Sequence, residues 1–233
     1  MPPLPSPSSS SAPAPILLIS ADGESFTIEA FHLLAASAQF RAQASAQDLA
    51  STPPIHFFDP AIESAPTLRL FLQLITAGSL SLPLPSGSLE PDTHLHALNA
   101  LVHFLIKWGC GPALSTLTLH LGAELRAHRL APLSAFVLAS TAKDLELALS
   151  ALKERRDKDV RWPKGSKKER WVAAKAGARG LDAKSLPLDV WRLIRPSYVW
   201  ALVRASGEAD WDEKGFDRAF EEFVRAADDA EGR

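Results

Sequence analysis

The stretch FTIEAFHLLAASAQFRAQ, residues 26–43, changes its apolar period partway along, and that change limits what the chain can fold into. Phe26 and Ile28 alternate as on a strand with one buried face. Phe31, Leu34, Ala35 and Ala38 then recur at three- and four-residue steps, which draws one stripe along a helix. A short strand therefore feeds directly into a helix. Ser37 falls where its hydroxyl can cap a second helix, whose first large apolar anchor is Phe40. Upstream, ILLIS and SFTI flank the turn ADGE, where Asp22 and Gly23 suit a tight hairpin.

Further along, Ile55, Phe57 and Phe58 between prolines predict a short third strand. Leu68, Phe71, Leu72 and Ile75 predict a helix with Ser64 or Thr67 at its start and Gly78 ending it in a left-handed conformation. Leu95, Leu98, Leu101, Val102 and Leu105 line the next helix, which stops at Gly109. Leu114, Leu117, Leu121 and Leu125 line another, with Pro112 in its first turn. From about residue 130 the pattern is helical throughout. A break falls near Thr141, and Leu145, Leu149 and Leu152 face inward on the second helix. Pro196 separates two helices carrying Leu188, Trp191, Ile194, Val199 and Leu202. Trp211, Phe216, Phe220, Phe223 and Ala227 share one face of the last. The order predicts an α+β chain, a small sheet capped by a helical cluster and followed by an all-helical C-terminal extension.

Composition narrows the function classes. At 233 residues and 46% hydrophobic, the chain can bury one full core and a smaller second one. A formal net charge of -2 and a pI near 6.4 give no global field for nucleic acid or a membrane surface. A single cysteine, Cys110, rules out an internal disulfide framework and fits a reducing compartment, so an intracellular protein, cytoplasmic or nuclear, is expected. The apolar run ILLI is too short for a signal-peptide core, and no run reaches the roughly 18 residues that cross a bilayer. Residues 1–14 are almost all Pro, Ser and Ala, the composition of a disordered arm.

The local signatures of catalysis are missing: no Gly-rich phosphate loop, no nucleophile elbow, no His-Glu-x-x-His helix. Asp92, His94 and His96 could meet a metal, but a two-residue spacing turns the two rings apart on a helix. His120 and His128 could share a helical face, with no carboxylate pair nearby. Cys110 between two glycines reads as a small buried hydrophobe. A pocket formed around His103 and Cys110 would revive an enzyme reading. No catalytic residue, metal or other cofactor is expected. Residues 153–175 hold ten Lys and Arg against four Asp and Glu, and predict an exposed basic loop. Its Lys164, Lys167, Lys168 and Arg170, with Trp162 and Trp171 nearby, are the candidate nucleic-acid contacts, the alternative reading of function.

ILLISADGESFTIEAFHLLAASAQFRAQ, PTLRLFLQLITAGSL and ALVHFLIKWGCGPALSTLTLHL together resemble the BTB/POZ domain. The likeness rests on the hairpin around a Ser-Asp-Gly type turn, on Phe26, Leu33, Ser37, Phe40 and Arg41, on the TAGSL ending, and on the junction Lys107, Trp108, Gly109, Cys110. It covers residues 15–130. PLSAFVLASTAKDLELALSAL and LPLDVWRLIRPSYVWALVRA are similar to the segments that follow in fungal, basidiomycete-type BTB proteins. Where the family carries an Asp before its first strand and a His-Lys or His-Arg pair opening its first helix, this chain has Pro15, Glu29 and Ala30. Ala38 stands where a Pro often follows the Ser. The resemblance implies a BTB/POZ domain over 15–130, a helical extension over 131–206 and an acidic helix and tail over 207–233. It also implies a non-enzymatic protein-interaction module with protein partners: a second copy, forming a homodimer, and a cullin-type ubiquitin ligase scaffold for which the chain would be an adaptor. Leu17, Ile19, Phe31 and Leu34 are the expected self-association surface.

Overall fold

The computed structural model describes residues 15–45, 53–80, 91–154, 188–207 and 213–231. The disordered arm expected over 1–14 and nearly all of the basic loop expected over 153–175 lie outside them. Strand β1 (Pro15–Ile19) pairs antiparallel with β2 (Ser25–Glu29), setting Leu18 opposite Phe26 and Ile16 opposite Ile28. Ile16, Leu18 and Ile28 are buried, so one face of the hairpin joins the core. Gly23 takes φ 84 in the turn, where Ser20 Oγ accepts from the Glu24 amide at 2.9 Å.

The change of period falls where the chain leaves β2: helix α1 (Ala30–Ala36) begins at the next residue, and α2 (Ala38–Ser45) follows after Ser37 alone. Ser37 Oγ accepts from the amides of Gln39 at 3.0 Å and Phe40 at 3.2 Å, the N-cap expected of it. The two helices carry the chain across to β3 (Ile55–His56), which lies parallel to β1 and completes the sheet in the order β2-β1-β3. Only two of the residues expected in a third strand pair regularly. Phe57 adds one bond to Ile19 O at 2.9 Å and is buried, whereas Phe58 turns out and is 82% exposed.

Helix α3 (Ala65–Ala77) buries Leu68, Phe71 and Leu74 and ends at Gly78, φ 65, in the left-handed conformation expected. Its N-terminus is capped from a distance: Ser64 makes no side-chain cap, and Asp22 Oδ1 accepts from the Ala65 amide at 2.9 Å. Helices α4 (Pro91–Lys107) and α5 (Gly111–Arg126) meet at Gly109, φ 61. Their junction closes an aromatic cluster in which Trp108 stacks on Phe40 at 4.8 Å and meets Phe57 edge-on at 5.2 Å. Such pairs add about 0.5–1.5 kcal/mol each beyond the area they bury.

The extension consists of α6 (Pro132–Ala142), α7 (Leu145–Glu154), α8 (Leu188–Leu193), α9 (Pro196–Gly207) and α10 (Glu213–Glu231). Every residue from Ala135 to Thr141 is buried, so α6 is enclosed on all sides. It packs on α4, α5 and α7, and Phe136 meets Tyr198 and Phe220 of α9 and α10 at 6.2 and 5.8 Å. One cluster of buried side chains therefore runs from β1 to α10. The aromatic stripe of the last helix faces inward, with Phe220 buried and Phe216 and Phe223 packed against the core, while Trp211 is outside the described residues.

Candidate interaction surfaces

The four residues expected to form one self-association surface divide into two pairs. Phe31, the first large side chain of α1, is 65% exposed, and Leu17 on the outer face of the sheet is 39% exposed. Leu34 is half-buried and packs against the core, and Ile19 is half-buried beside the third strand. The exposed pair is set by local rules: Leu17 alternates with the buried Ile16 and Leu18, and Phe31 lies two residues before the buried Leu33 on a helix. Among the described residues the Phe31 ring has one ring neighbour, His32, edge-on at 5.4 Å.

A second surface is organised by Glu63, whose side chain is only 2% exposed. Its Oε2 accepts from the amides of Phe58 and Asp59, each at 2.8 Å, and its Oε1 accepts from Trp108 Nε1 at 2.9 Å and pairs with Lys107 Nζ at 2.8 Å. Its backbone carbonyl accepts from the Ala21 amide at 3.0 Å. Burial alone would raise its carboxyl pKa, but Lys107, the two amides and the indole outweigh that and hold it below the usual carboxylate value. Lys107 is in turn held above its ordinary value by the bond to Glu63. One carboxylate thus pins the loop before α3 to the end of α4.

Between that loop and α4 runs an open groove of about 570 Å³. Ala61 and Ile62 form its loop wall; His96, Asn99, Ala100, His103, Ile106 and Lys107 line the α4 side. His103 stands exposed, yet its surroundings desolvate the ring enough to hold the imidazole pKa below 6.5. Cys110 has no part in this groove. It is fully buried, and burial pushes its thiol up to about 12, against a smaller downward pull from Ser37. The pocket imagined around His103 and Cys110 is therefore a groove around His103 alone. A third surface is aromatic: Trp200, 44% exposed, meets Phe223 edge-on at 5.4 Å, and the Arg204 guanidinium lies 5.8 Å from each ring.

The remaining candidates are described only in part. The side chains of Asp92 and His94 fall outside the described residues, and His96 faces the groove. Helix α5 ends at Arg126, so His128 is not on its face with His120 but beyond it, at φ 54. Among the described residues no three His, Cys, Asp or Glu side chains gather closely enough to hold a metal, and no helix is long and apolar enough to cross a membrane. Lys164, Lys167, Lys168 and Arg170 lie outside the described residues. Neither a family model, nor a curated protein, nor a solved structure matches the chain. The exposure of Phe58, the partners of Glu63 and the groove escaped sequence reasoning. The Glu63–Trp108 bond spans 45 residues, while the Phe58 and Asp59 amide bonds are local but leave no apolar period to read, and only the prolines around the third strand hinted at an irregular loop there.

Proposed function

We propose that the chain is a non-enzymatic protein-interaction module of the BTB/POZ kind, which binds a second copy of itself through the face carrying Phe31 and Leu17. The observation that carries the reading is Phe31, a phenylalanine 65% exposed at the switch from strand to helix. A two-fold contact would bring the same patch of both copies together. Burying a phenylalanine removes about 150–250 Å² from water, whereas a stable interface needs roughly 800 Å² per partner. The contact therefore extends from Phe31 over the outer face of the sheet, where Leu17 stands opposite Thr27. The high thiol pKa of Cys110 supports the non-enzymatic reading, because it disarms the one nucleophile singled out in the sequence. An adaptor role on a cullin-type ubiquitin ligase is the finer form of the proposal.

Light scattering tests both parts. A solution mass of twice 25.2 kDa that falls to 25.2 kDa in Phe31→Asp, with an unchanged circular dichroism spectrum, is the expected result. A mass of 25.2 kDa for the unaltered chain at every concentration would remove self-association. Mixing with the N-terminal half of a cullin should give a complex of defined mass; no shift would remove the adaptor role.

A further inference from the structure

The outer face of the sheet holds an acid and an imidazole that form no ion pair among the described residues. Glu29, exposed at the end of β2, stands at the N-cap of α1, yet its carboxylate makes no cap bond. His56, exposed at the end of β3, stacks on the Phe58 ring at 6.3 Å. The register puts both on the face of Leu17. Glu29 lies opposite Pro15, two residues before Leu17 on β1, and His56 lies beside Ile19, two residues after it, and steps of two keep to one face. Strands β2 and β3 flank β1 on opposite sides. The acid and the imidazole therefore occupy opposite corners of the face, about 16 Å apart at roughly 4.8 Å between strands and 3.3 Å per residue, with Leu17 midway between them.

That placement is self-complementary. A two-fold contact sets residue i against residue j and j against i. With the axis passing over Leu17, across the line that joins the two corners, His56 of each copy meets Glu29 of the other and the two Leu17 side chains meet at the centre. The strands of the two sheets then cross steeply, as in orthogonal sheet packing. An imidazole N–H donates to a carboxylate in either protonation state, and a protonated ring adds charge to the bond. Phe31 lies two residues beyond Glu29 and Phe58 two residues beyond His56, so the same axis brings these phenylalanines, 65% and 82% exposed, to the same ends of the contact. Phe31 and Leu17 alone fall short of the roughly 800 Å² per partner of a stable interface, and Phe58 and His56 widen the contact toward it. We propose, resting on the self-association read above from Phe31 and Leu17, that the two copies meet sheet on sheet, closed at both ends by a His56–Glu29 pair between copies, with Phe31 of each beside Phe58 of the other.

Light scattering of the full chain over a concentration series, with two charge reversals, is the test. His56→Asp sets an acid against Glu29 of the other copy, and Glu29→Arg sets a cation against His56. Each alone should raise the dimer dissociation constant at least about tenfold, with an unchanged circular dichroism spectrum. In a mixed dimer of the two variants an acid faces a base at both ends. The equimolar mixture should therefore return to within about threefold of the unaltered dissociation constant. If either variant loses its circular dichroism spectrum, His56→Glu and Glu29→Lys repeat the swap. A mass of 25.2 kDa for the unaltered chain at every concentration, as when another protein or residues 1–14 cover the face, would remove self-association and this contact with it. Dimers that Phe31→Asp breaks but both charge reversals leave intact would keep self-association and overturn the His56–Glu29 pairing. Charge variants that come apart alone and stay apart when mixed would overturn it too.

Discussion

Glu63 concentrates the stability of the loop before α3 in a single side chain. Removing it with Glu63→Ala would leave the Trp108 indole and the Phe58 and Asp59 amides without their acceptor and Lys107 without its nearest carboxylate. The expected loss is about 3 kcal/mol, read as a lower urea midpoint. The pH dependence has a definite sign. The folded carboxyl pKa is depressed, so its contribution is complete above the unfolded value of about 4.3 and is lost as pH falls through the lower folded value. The gap in stability between the unaltered chain and Glu63→Gln should therefore be widest at neutral pH and close toward pH 3; a constant gap would show that the ionised form is not preferred on folding. Cys110 makes the opposite case, a titratable group kept neutral. With its thiol pushed up to about 12 by burial, it should react with iodoacetamide at least about a thousandfold more slowly in the folded chain than in urea. Fast labelling of the folded chain would mean that the α4–α5 junction opens far more readily than its packing implies.

Element boundaries were legible where they depend on neighbours in sequence. The switch from strand to helix after β2, the Ser37 cap, the left-handed stop at Gly78 and the break between α6 and α7 all follow from side chains within a few residues of the event. The cap of α3 did not, because Asp22 reaches the Ala65 amide across 43 residues and no local pattern encodes that meeting. The break after α6 carries a prediction. Lys143 holds φ 58 there, and its amide donates to Ala139 and Ser140 carbonyls, the left-handed cap that Gly78 makes for α3 without a side chain. A lysine in that conformation costs more than glycine, by about 1 kcal/mol before glycine's extra unfolded-state entropy is counted. Lys143 is exposed, so little packing is lost on removing its side chain. Lys143→Gly should therefore raise stability by about 0.5 kcal/mol, seen as a higher thermal midpoint. A lower midpoint would mean that the lysine side chain contributes more than its exposure suggests.

At the scale of the whole chain, the sequence suggested a BTB-like unit with a helical annex, and the packing joins the two parts through α6. A helix with no hydrophilic face cannot stand at the edge of anything. Its apolar stretch from Ala135 to Ala139 told of burial but not of all that would cover it: α5 and α7 adjoin it in sequence, whereas Asn99 of α4 and Tyr198 and Phe220 of α9 and α10 come from segments far away. Thr141 bonds to Asn99 of α4, and Phe136 holds Tyr198 and Phe220, so α6 transmits the loss of either side to the other. If α9 and α10 left, one flank of α6 would face water, and the helix would no longer cover α4 and α5. The described elements should therefore unfold as one cooperative unit. Hydrogen exchange reads this directly, since the slowest amides of α4, around Leu101, and of α9, around Leu202, should open with the same free energy. Phe136→Ala, a deletion at a fully buried position, should lower both by the same amount, about 3–5 kcal/mol. Loss of protection in α9 and α10 alone, with α4 unchanged, would show that the C-terminal hairpin is a separate unit resting on a core that survives without it.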